Sequence, residues 1–416
     1  MKIALVTAFP PSKGLLNEYG FHIANQLNDL PGVSLTVLGD VMEKPEPELQ
    51  NFDVIRCWEL NRTFNQPTLL RTIRELRPDV VWYNLLFSTF GNANNPAAAF
   101  SGLTLPALTR AAGFYTHVTL HHLMDHVDLK GNGIKHPRLY QMIGTVATRI
   151  VLKANSTSVL LPAYRRTLIG KYHGSNVHFR AHGILSARPE PPDYSLRREP
   201  IILVFGKWGT YKRVDLLLEA FPEIERRIPG VKMIVGGGDH PMAQGYIASL
   251  TEQYKHKSNI QFTGYVDEED IPKMFKTASA LVMPYNSATG ASGVAHLGCE
   301  YGLPIVCAAI PDFREMAEDE GLAIDFYRTG DAASLAERLI GVLEDEELQR
   351  EMSEQNFSSA LRMTMPQIVQ QYLRAFDRKA RSRALEPMSR FRRIPAWVPS
   401  RARMYRASAP RWSTWI

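Results

Sequence analysis

The sequence has few cysteines and no long apolar run. Only Cys57, Cys299 and Cys307 occur among 416 residues. This odd number, without the spacing of a zinc site, argues against a disulfide framework and favours reduced thiols in a cytosolic protein. No uninterrupted apolar segment approaches the roughly 18 residues that a membrane span requires. The first residues lack the apolar region and cleavage site of a signal peptide, so we interpret them as a strand of a soluble chain.

Acidic residues are scarce at one end of the chain. From Arg378 to Ile416 there are 11 lysines and arginines and one acid, Glu386, whereas the rest of the chain has a net charge of −4. The overall charge of +6 therefore belongs to a tail, and the body is mildly acidic. Hydrophobic residues make up 45% of the chain, which allows a sizeable packed core and excludes general disorder.

Short apolar runs alternate with helical patterns in both halves of the chain. KIALVTAF, DVIRCW and THVTLHH in the first half, and IILVFG, ALVMPY and PIVCAA in the second, indicate parallel strands covered on both faces. The proline-rich residues 186–200 between the two arrays indicate a linker. We predict an α/β protein with two doubly wound, Rossmann-like domains facing across a cleft, 1–185 and 201–365. A closing helix (366–384) and a basic aromatic tail (385–416) follow.

The stretch LVMPYNSATGASGVAHLGCEYGLPIV (281–306) places small residues between an apolar run and a helical pattern. In doubly wound sheets, ligands bind beside such loops, and the first amides of the following helix are donors suited to a phosphate. The candidate ligand-binding residues are Gly290, Ala291, Ser292, Gly293 and Val294. A tight turn without a ligand would need the same small residues, and Ser292 would equally serve as a helix cap.

Two other glycine-containing loops follow apolar runs. In FGKWGTYKRVD, Gly206 ends the run, Lys207 follows it directly and Lys212 opens the next helix. Two cations there would complete a diphosphate clamp, although lysines are also common in loops without a ligand. In VGGGDHP (235–241), the glycines either approach a nucleotide base or form an ordinary turn between a strand and a helix.

The order of these segments resembles the retaining glycosyltransferases of family GT4, which have the GT-B fold. The resemblance covers residues 1–375 and is densest from Ile201 to Asp325. It implies that Lys207, in place of the family's arginine, and Lys212 bind the diphosphate of a nucleotide sugar, together with the amides of residues 291–294. Cations and amides fixed at that position would stabilise a leaving nucleoside diphosphate.

The N-terminal half resembles the family more loosely. Gly14 matches the family's first glycine loop, but the two residues after it are leucines where the family has a second glycine. VTLHH places His121 at the histidine that faces the donor sugar in the family. Without the resemblance, His121 and His122 would equally be a satisfied buried pair. RAHGI resembles the family's PNGVD element, with His182 in place of its asparagine.

Two motif glutamates of the family are absent. Alignment on Gly302-Leu303-Pro304 places Thr289 at the first, which touches the donor sugar in the family, and Leu297 at the second, which binds ribose hydroxyls. Glu300 lies one helical turn after Leu297 and is our candidate substitute; otherwise it is a solvated helix acid. His296 is rotated by about 100° from the motif position. The departure leaves the donor and the mode of ribose binding open.

The resemblance implies a retaining hexosyltransferase that uses a nucleotide diphosphate sugar and a glycan or lipid-linked acceptor, in the synthesis of cell-surface polysaccharides or glycoconjugates. We expect no metal and no cofactor, because the acids at 267–270 and 318–320 are typical of helix ends or solvated surfaces. One alternative is a catalytically degenerate GT-B protein that acts as a membrane-tethered assembly partner. Another is a GT-B-fold sugar-nucleotide epimerase, which usually needs several carboxylates in the cleft.

The tail from Arg378 interleaves arginines with aromatic residues. Such a composition suits an anionic membrane surface, where each basic residue contributes about 1 kcal/mol, and would place the protein peripherally on the cytoplasmic face. The prolines of the tail exclude a single continuous amphipathic helix. The alternative interpretation is a C-terminal extension that is disordered or packs on the body of the protein, which would have the same composition. No recognisable nucleic-acid-binding fold accompanies the tail, so we expect no nucleic-acid partner.

Overall fold

The computed structural model describes residues 1–42, 44, 46–92, 94–127, 129, 136–193, 199–240, 243–288 and 290–391, with side chains described to residue 381. Residues 392–416, which hold most of the predicted tail, lie outside the described residues, as does Thr289. By Cα proximity the chain divides into two units, Met1–Val369 and Gln370–Ile416.

The first half of the chain forms a sheet of seven parallel strands in the order β3-β2-β1-β4-β5-β6-β7. The strands are β1 (Lys2–Val6), β2 (Ser34–Asp40), β3 (Val54–Trp58), β4 (Val80–Leu85), β5 (Thr116–Leu120), β6 (Ser156–Val159) and β7 (Val177–Phe179). The helices are α1 (Asn17–Asn28), α2 (Gln66–Leu76), α3 (Pro96–Gly102), α4 (Leu105–Ala111), α5 (Pro137–Val151) and α6 (Pro162–Gly170), with a 3-10 turn at Met124–His126.

The second half forms a sheet of six parallel strands in the order β10-β9-β8-β11-β12-β13. The strands are β8 (Ile201–Phe205), β9 (Lys232–Gly236), β10 (Ile260–Gly264), β11 (Ala280–Met283), β12 (Ile305–Ala308) and β13 (Ile324–Tyr327). The helices are α7 (Val214–Arg227), α8 (Tyr246–Tyr254), α9 (Ile271–Thr277), α10 (Gly293–Glu300), α11 (Pro311–Glu320), α12 (Ala332–Glu344), α13 (Glu346–Arg362) and α14 (Met365–Phe391).

The predicted fold class of two doubly wound parallel sheets is confirmed. The central strands are buried along their whole length, as β4 and β11 show, because helices cover both faces of each sheet. Each sheet reverses its strand order once, between β1 and β4 in the first sheet and between β8 and β11 in the second. Ligands of doubly wound folds bind at these reversals.

Residues from the two sheets meet within the unit Met1–Val369. Arg166 of α6 donates two hydrogen bonds to the carboxylate of Glu315 in α11, at 2.5 and 2.6 Å. Nδ1 of His126, in the 3-10 turn of the first half, lies 3.5 Å from the carboxylate of Asp312 in α11. These contacts lie on the sides of the cleft at the strand ends, so the first-sheet loops and the second-sheet loops line one site.

Some elements differ from the sequence predictions. The patterns in the first half did not reveal α3, α4, α5 or α6. The acidic residues 329–360 fall mostly in α12 and α13, and α13 begins where the carboxylate of Asp345 accepts a hydrogen bond from the Leu348 amide at 2.9 Å. In the part of the chain that the structure describes, the helices lack the length and apolar character needed to cross a bilayer.

Candidate functional site

The loop before α10 approaches the end of β5 across the cleft. Gly290 has a φ of +129°, and a Cβ placed on it would lie 2.6 Å from the carbonyl oxygen of His121. The backbone therefore approaches more closely than a side chain would allow. At the other end of the loop, a Cβ on Gly293 would lie 3.7 Å from the ring of His182. The structure thus brings the predicted phosphate loop, His121 and His182 together.

The amides of this loop are available to a ligand. Within the described residues, no backbone N–H group of residues 291–294 donates a hydrogen bond to another residue. The hydroxyl of Ser292 accepts from the Ala295 amide at 3.2 Å, so Ser292 caps α10, and the helix begins at Gly293 rather than at Val294. Unpaired amides at a helix N-terminus attract an anion.

Lys212 is tied to the base of the same loop. The backbone of residues 211–213 bonds to that of residues 284–286, through Arg213 N–H to Pro284 C=O and Asn286 N–H to Tyr211 C=O, both at 2.8 Å. The Lys212 ammonium lies 4.8 Å from the centre of the Tyr285 ring. A Cβ on Gly206 would lie 3.0 Å from it. Gly206 therefore makes room for Lys212.

No acid neutralises the two lysines. Lys207 is exposed and Lys212 is half-buried, and neither has a carboxylate within ion-pairing distance in the described part of the chain. Burial, with a further contribution from Lys207, lowers the pKa of Lys212 to about 8. A half-buried ammonium without an ion-pair partner is costly, and a bound anion would lower that cost.

The glycine run after β9 approaches protein backbone. A Cβ on Gly237 would lie 1.9 Å from the carbonyl oxygen of Gly206, and the Gly237 amide donates to Gly264 at 2.9 Å. The Trp208 amide donates to the Gly238 carbonyl at 3.0 Å. Close packing of three loops thus explains the glycines, and this packing holds the loop that carries Lys207.

His121 is buried and neutral. Burial lowers the pKa of its imidazole well below the usual value. Its Nε2 lies 2.6 Å from Oδ1 of Asn84, whose amide nitrogen donates to Thr7 at 3.2 Å. Since Oδ1 only accepts, Nε2 carries the proton and Nδ1 keeps a lone pair. His122 packs instead against Phe87, with ring centres 5.3 Å apart, so the two histidines are not hydrogen-bonded to each other.

Gly14 is required by its own loop. A Cβ there would lie 2.7 Å from the Ala8 Cβ and 2.8 Å from a carboxylate oxygen of Asp40. Asp40 holds the loop by accepting from the Phe9 amide at 3.1 Å and from the Ser12 hydroxyl. Leu16 has a φ of +66°, the left-handed conformation that glycine adopts freely. Leu16 therefore has a backbone conformation that suits the glycine of the family at this position.

Glu300 is not the solvated acid that the alternative interpretation required. One of its carboxylate oxygens is buried without a hydrogen-bond partner in the described residues. Burial raises the pKa of Glu300 to about 7, and Glu18 of α1 raises it further, against a lowering by the Ser186 amide. Glu300 therefore faces the first half of the chain near α1. Leu297 is half-buried one turn earlier, and the Thr289 position lies outside the described residues.

The sequence did not reveal a buried ion pair beneath the phosphate loop. His296 presents Nδ1 to the Ser292 carbonyl at 2.7 Å and Nε2 to the Glu320 carboxylate at 2.8 Å. Burial alone would lower the pKa of His296, but Glu320 and these acceptors raise it. Both ring nitrogens face acceptors, so His296 is an imidazolium. The partners lie 24 residues apart, and no local pattern connects them. The interpretation of Glu320 as a solvated acid is wrong.

His182 lies between the two halves of the site. Its ring centre is 4.9 Å from that of His296 and 6.2 Å from that of His121. Nδ1 lies 2.8 Å from the Gly183 carbonyl oxygen. Burial and the charge of His296 lower the pKa of His182 to about 3, so this ring is neutral. His182 therefore packs as an aromatic spacer beside Gly293.

Among the described residues, one group could hold a metal ion. Glu18 and His22 of α1 and Glu268 before α9 each offer a ligand atom, and these atoms all lie within 4.8 Å of one another. His22 Nε2 and the Glu268 carboxylate are 3.9 Å apart. Burial lowers the pKa of His22 to about 4, so its imidazole is neutral and one ring nitrogen keeps a lone pair. Burial and the charge of Glu268 raise the pKa of Glu18, against a smaller lowering by the nearby Lys207.

Comparisons with known proteins agree with this geometry. The model of the family "Glycosyl transferases group 1" matches residues 191–358. The alpha-D-kanosaminyltransferase of Streptomyces kanamyceticus is 29% identical over 164 residues, 39% of this chain and 41% of that protein. A phosphatidyl-myo-inositol mannosyltransferase of Mycobacterium leprae is 24% identical over 200 residues, 48% of this chain and 51% of that protein. The chain thus matches about half or less of the length of these curated relatives.

Solved structures resemble the chain over nearly its whole length. Sucrose-phosphate synthase from Thermosynechococcus elongatus superposes with a TM-score of 0.72 at 15% identity, over 92% of this chain and 100% of that one. Anabaena HepE in complex with UDP and glucose gives 0.65 at 14% identity, over 91% and 99%. The fold predicted from the resemblance is confirmed. Residues 191–358 thus resemble the group 1 glycosyltransferases, and the whole chain has the GT-B fold.

Proposed function

We propose that this protein is a retaining hexosyltransferase that moves a sugar from a nucleotide diphosphate donor to a glycan or lipid-linked acceptor. The observation that carries the proposal is the hydrogen-bonded link between residues 211–213 and 284–286. It fixes an unpaired ammonium beside a loop whose amides have no partner. Two cations and a set of unpaired amides at neighbouring strand ends form a site for a dianionic or trianionic group.

In this proposal the second half of the chain binds the diphosphate. Lys207 and Lys212 neutralise the phosphate oxygens, and the amides of residues 291–294 donate hydrogen bonds to them. As the bond between the sugar and the diphosphate breaks, negative charge grows on the leaving oxygen. Groups already fixed around that oxygen stabilise the transition state more than the ground state. The leaving phosphate then accepts the proton of the attacking hydroxyl, so a separate protein base is not required.

The first half of the chain would hold the sugar. His121 offers its Nδ1 lone pair as an acceptor for a sugar hydroxyl. Its protonated Nε2 is already bound to Asn84. Gly290 brings the loop of residues 290–294 against the backbone of His121, so a sugar held by His121 would lie next to a diphosphate held by this loop. Gly14 would shape the wall of the cleft opposite the loop through its close contacts with Asp40.

Glu300 would bind the ribose in place of the carboxylate that Leu297 replaces. It is half-buried near α1, and one of its carboxylate oxygens is buried without a hydrogen-bond partner among the described residues. Ribose hydroxyls would supply the missing hydrogen bond. This assignment predicts that Glu300→Gln weakens binding of a nucleoside diphosphate and leaves binding of inorganic pyrophosphate unchanged.

The names of similar proteins support the donor and acceptor classes. Structures of HepE hold UDP or UDP-glucose, so uridine nucleotides are the first to test. Relatives from mycobacteria are named for mannosyl transfer to phosphatidylinositol compounds, and one from Escherichia coli for the O-antigen chain. A lipid-linked acceptor would agree with the predicted contact of residues 378–416 with an anionic membrane surface.

A thermal-shift screen tests the donor site. The purified chain is heated with UDP, GDP, ADP and their common sugar conjugates, because a ligand that binds the folded state raises the melting temperature. We expect a shift with one nucleotide that disappears in Lys207→Ala/Lys212→Ala. The matched control is Lys232→Ala/Lys276→Ala, which removes two exposed lysines paired with Glu199 and Glu190. A shift that survives the first double variant, or no shift at all, would contradict the proposal.

Specific observations favour two other functions. The loss of the motif carboxylate at Leu297 favours a degenerate protein that binds partners without catalysis. Lys212→Ala would then leave partner binding intact, whereas a transferase should lose nearly all transfer. The approach of Glu18 and Glu268 to within 4.8 Å favours an epimerase, since such enzymes need carboxylates in the cleft. Following the donor sugar by NMR without an acceptor would show inversion of a ring carbon only for an epimerase.

A further inference from the structure

Helix α5 presents two different apolar faces. Its buried face consists of Gly144, Ala147, Thr148 and Val151, at the spacing i, i+3, i+4 and i+7, and packs on the first half of the chain. This face reaches the 3-10 turn at Met124–His126 and helix α4. A Cβ on Gly144 would lie 2.8 Å from the Cβ of Met124. The helix is therefore anchored by its small residues.

The second face consists of large apolar residues and is exposed. Leu139 is 47% exposed, Met142 60%, Ile143 40% and Val146 41%. They follow the same spacing and form one stripe, about 140° around the helix from the buried face at 100° per residue. One helix holds a third of the large apolar side chains that are exposed in the described part of the chain. Such a cluster marks an interaction surface.

The sequence around the stripe is basic. Helix α5 contains no acid, and every Lys, Arg, Asp or Glu between Asp128 and Glu190 is a lysine or an arginine. Arg138 and Arg149 are exposed at the two ends of α5 and have no ion-pair partner among the described residues. At 100° per residue both lie on the same flank of the stripe. A partner for this face must accept apolar side chains and carry negative charge.

We propose that the α5 face, made of Leu139, Met142, Ile143 and Val146 and flanked by Arg138 and Arg149, docks on an anionic phospholipid bilayer. A bilayer accepts apolar side chains below its headgroups and attracts arginines to its anionic surface. A second copy of the same face fits less well, because two acid-free helices would bring like charges together. This surface is separate from the tail and belongs to the body of the protein.

Docking through α5 has a consequence for the site. The buried face of α5 packs on the 3-10 turn that begins two residues after His122, and His121 is in the candidate site. The helix would hold this end of the cleft near the lipid surface, where a lipid-linked acceptor is found. That consequence rests on the proposed transferase function, whereas the docking itself rests only on the exposed stripe and its charge.

Vesicle co-sedimentation tests the docking with the full chain. Phosphatidylcholine vesicles are compared with vesicles that also contain phosphatidylglycerol. We expect binding to the anionic vesicles to fall about 10- to 100-fold in Met142→Glu/Ile143→Glu, since two apolar insertions are lost and two negative charges are added. The control is Leu361→Glu, at a residue of α13 that is 46% exposed, which should bind as the wild type does. Unchanged melting temperatures would show that both variants fold.

A fluorescent label separates the α5 face from the tail. The native cysteines Cys57, Cys299 and Cys307 are buried, so a thiol introduced by Met142→Cys is selectively labelled with an environment-sensitive dye. We expect a blue shift of its emission on anionic vesicles and none for Leu361→Cys. Vesicle binding without a shift at residue 142 would overturn the proposal and assign binding to another surface. A dimer in solution that Met142→Glu/Ile143→Glu abolishes, without vesicle binding, would also overturn it.

Discussion

The two halves of the molecule each place a buried histidine beside the cleft, and the two histidines have opposite charge states. In the first half His121 binds the amide oxygen of Asn84 and is neutral. In the second half His296 binds a carboxylate and a carbonyl and is charged. Both rings are buried, so burial cannot explain the difference. The hydrogen-bond partner of each ring decides its charge. The Asn84 amide oxygen accepts one N–H from His121 and leaves the other ring nitrogen unprotonated, whereas the Glu320 carboxylate stabilises the imidazolium of His296.

The loops around the two histidines also differ, because the polar groups of one loop are paired and those of the other are not. In the first half, amides of the loop that contains Gly14 have hydrogen-bond acceptors. Asp40 accepts from the Phe9 amide, and the Ser12 hydroxyl accepts from the Gly14 amide. In the second half, among the described residues, Lys207 and Lys212 have no carboxylate within ion-pairing distance and the amides of residues 291–294 have no acceptor. A folded protein keeps such groups unpaired at a cost. The comparison leads us to expect anion binding in the second half and contacts with neutral groups in the first.

Removal of the charged histidine, His296, should have the largest effect on the free energy of unfolding. His296→Ala leaves the buried carboxylate of Glu320 without its partner, which costs about 3–5 kcal/mol of unfolding free energy. His121→Ala leaves only the Asn84 amide oxygen unpaired, for about 1–3 kcal/mol. Urea unfolding of both variants measures the difference. Equal losses of unfolding free energy in the two variants would show that the two histidines have the same charge state, which would contradict the difference between the two halves.

The pH dependence of the two variants sharpens the same test. The pKa of His296 is raised by folding, so its stabilising contribution is complete below the ordinary pKa of histidine and is lost as the pH rises through the raised value. The pKa of His121 is lowered, so the folded chain loses stability as the pH falls through the ordinary value. The destabilisation by His296→Ala should therefore shrink at high pH. Acidification should destabilise the wild type more than His121→Ala.

Closure of the two halves depends on Gly290. Gly290→Ala places a Cβ within 2.6 Å of the His121 carbonyl oxygen and forces a side chain into a φ of +129°. We expect nucleotide affinity to fall about 10- to 100-fold, because the loop must move away from the first half. Calorimetric titration measures it. Gly245→Ala is the control, since its φ is +85° but no atom lies within 4 Å of the added Cβ. Equal affinity losses would show that backbone strain alone is responsible.

The sequence predicted the fold and most loop residues because these depend on local patterns. Continuous apolar runs gave the parallel strands, and glycines before helical patterns gave the loops of Gly206 and Gly290. The His296–Glu320 pair could not be predicted, because its partners come from two helices that only the tertiary fold joins. Helix α5 was missed because its larger apolar residues face outward. The roles of His121, Lys207, Lys212 and Glu300 remain predictions.

The protonation of Lys212 should control donor affinity at high pH. Its pKa of about 8 is low for a lysine, so the free site loses a positive charge as the pH rises above 8. The affinity for a nucleoside diphosphate should then fall by up to tenfold per pH unit, which is the limit when binding requires one proton. A tenfold change corresponds to roughly 1.4 kcal/mol of binding free energy. Lys212→Arg stays charged and should give a flat profile. A decline of equal slope in that variant would assign the effect to another group.

Leu16 should give the smallest effect and tests how far the first half has departed from its family. The residue is held at a φ of +66° at the start of α1, which costs a non-glycine residue about 1–2 kcal/mol. Leu16→Gly removes that strain but loses some packing and adds freedom to the unfolded chain, so we expect a gain in unfolding free energy of about 0.5–1 kcal/mol. Leu15→Gly, at a neighbour that is 48% exposed and lacks a positive φ, should destabilise instead. If both substitutions destabilise equally, the left-handed backbone of Leu16 carries no strain, and the leucine is as well adapted to this loop as the family's glycine.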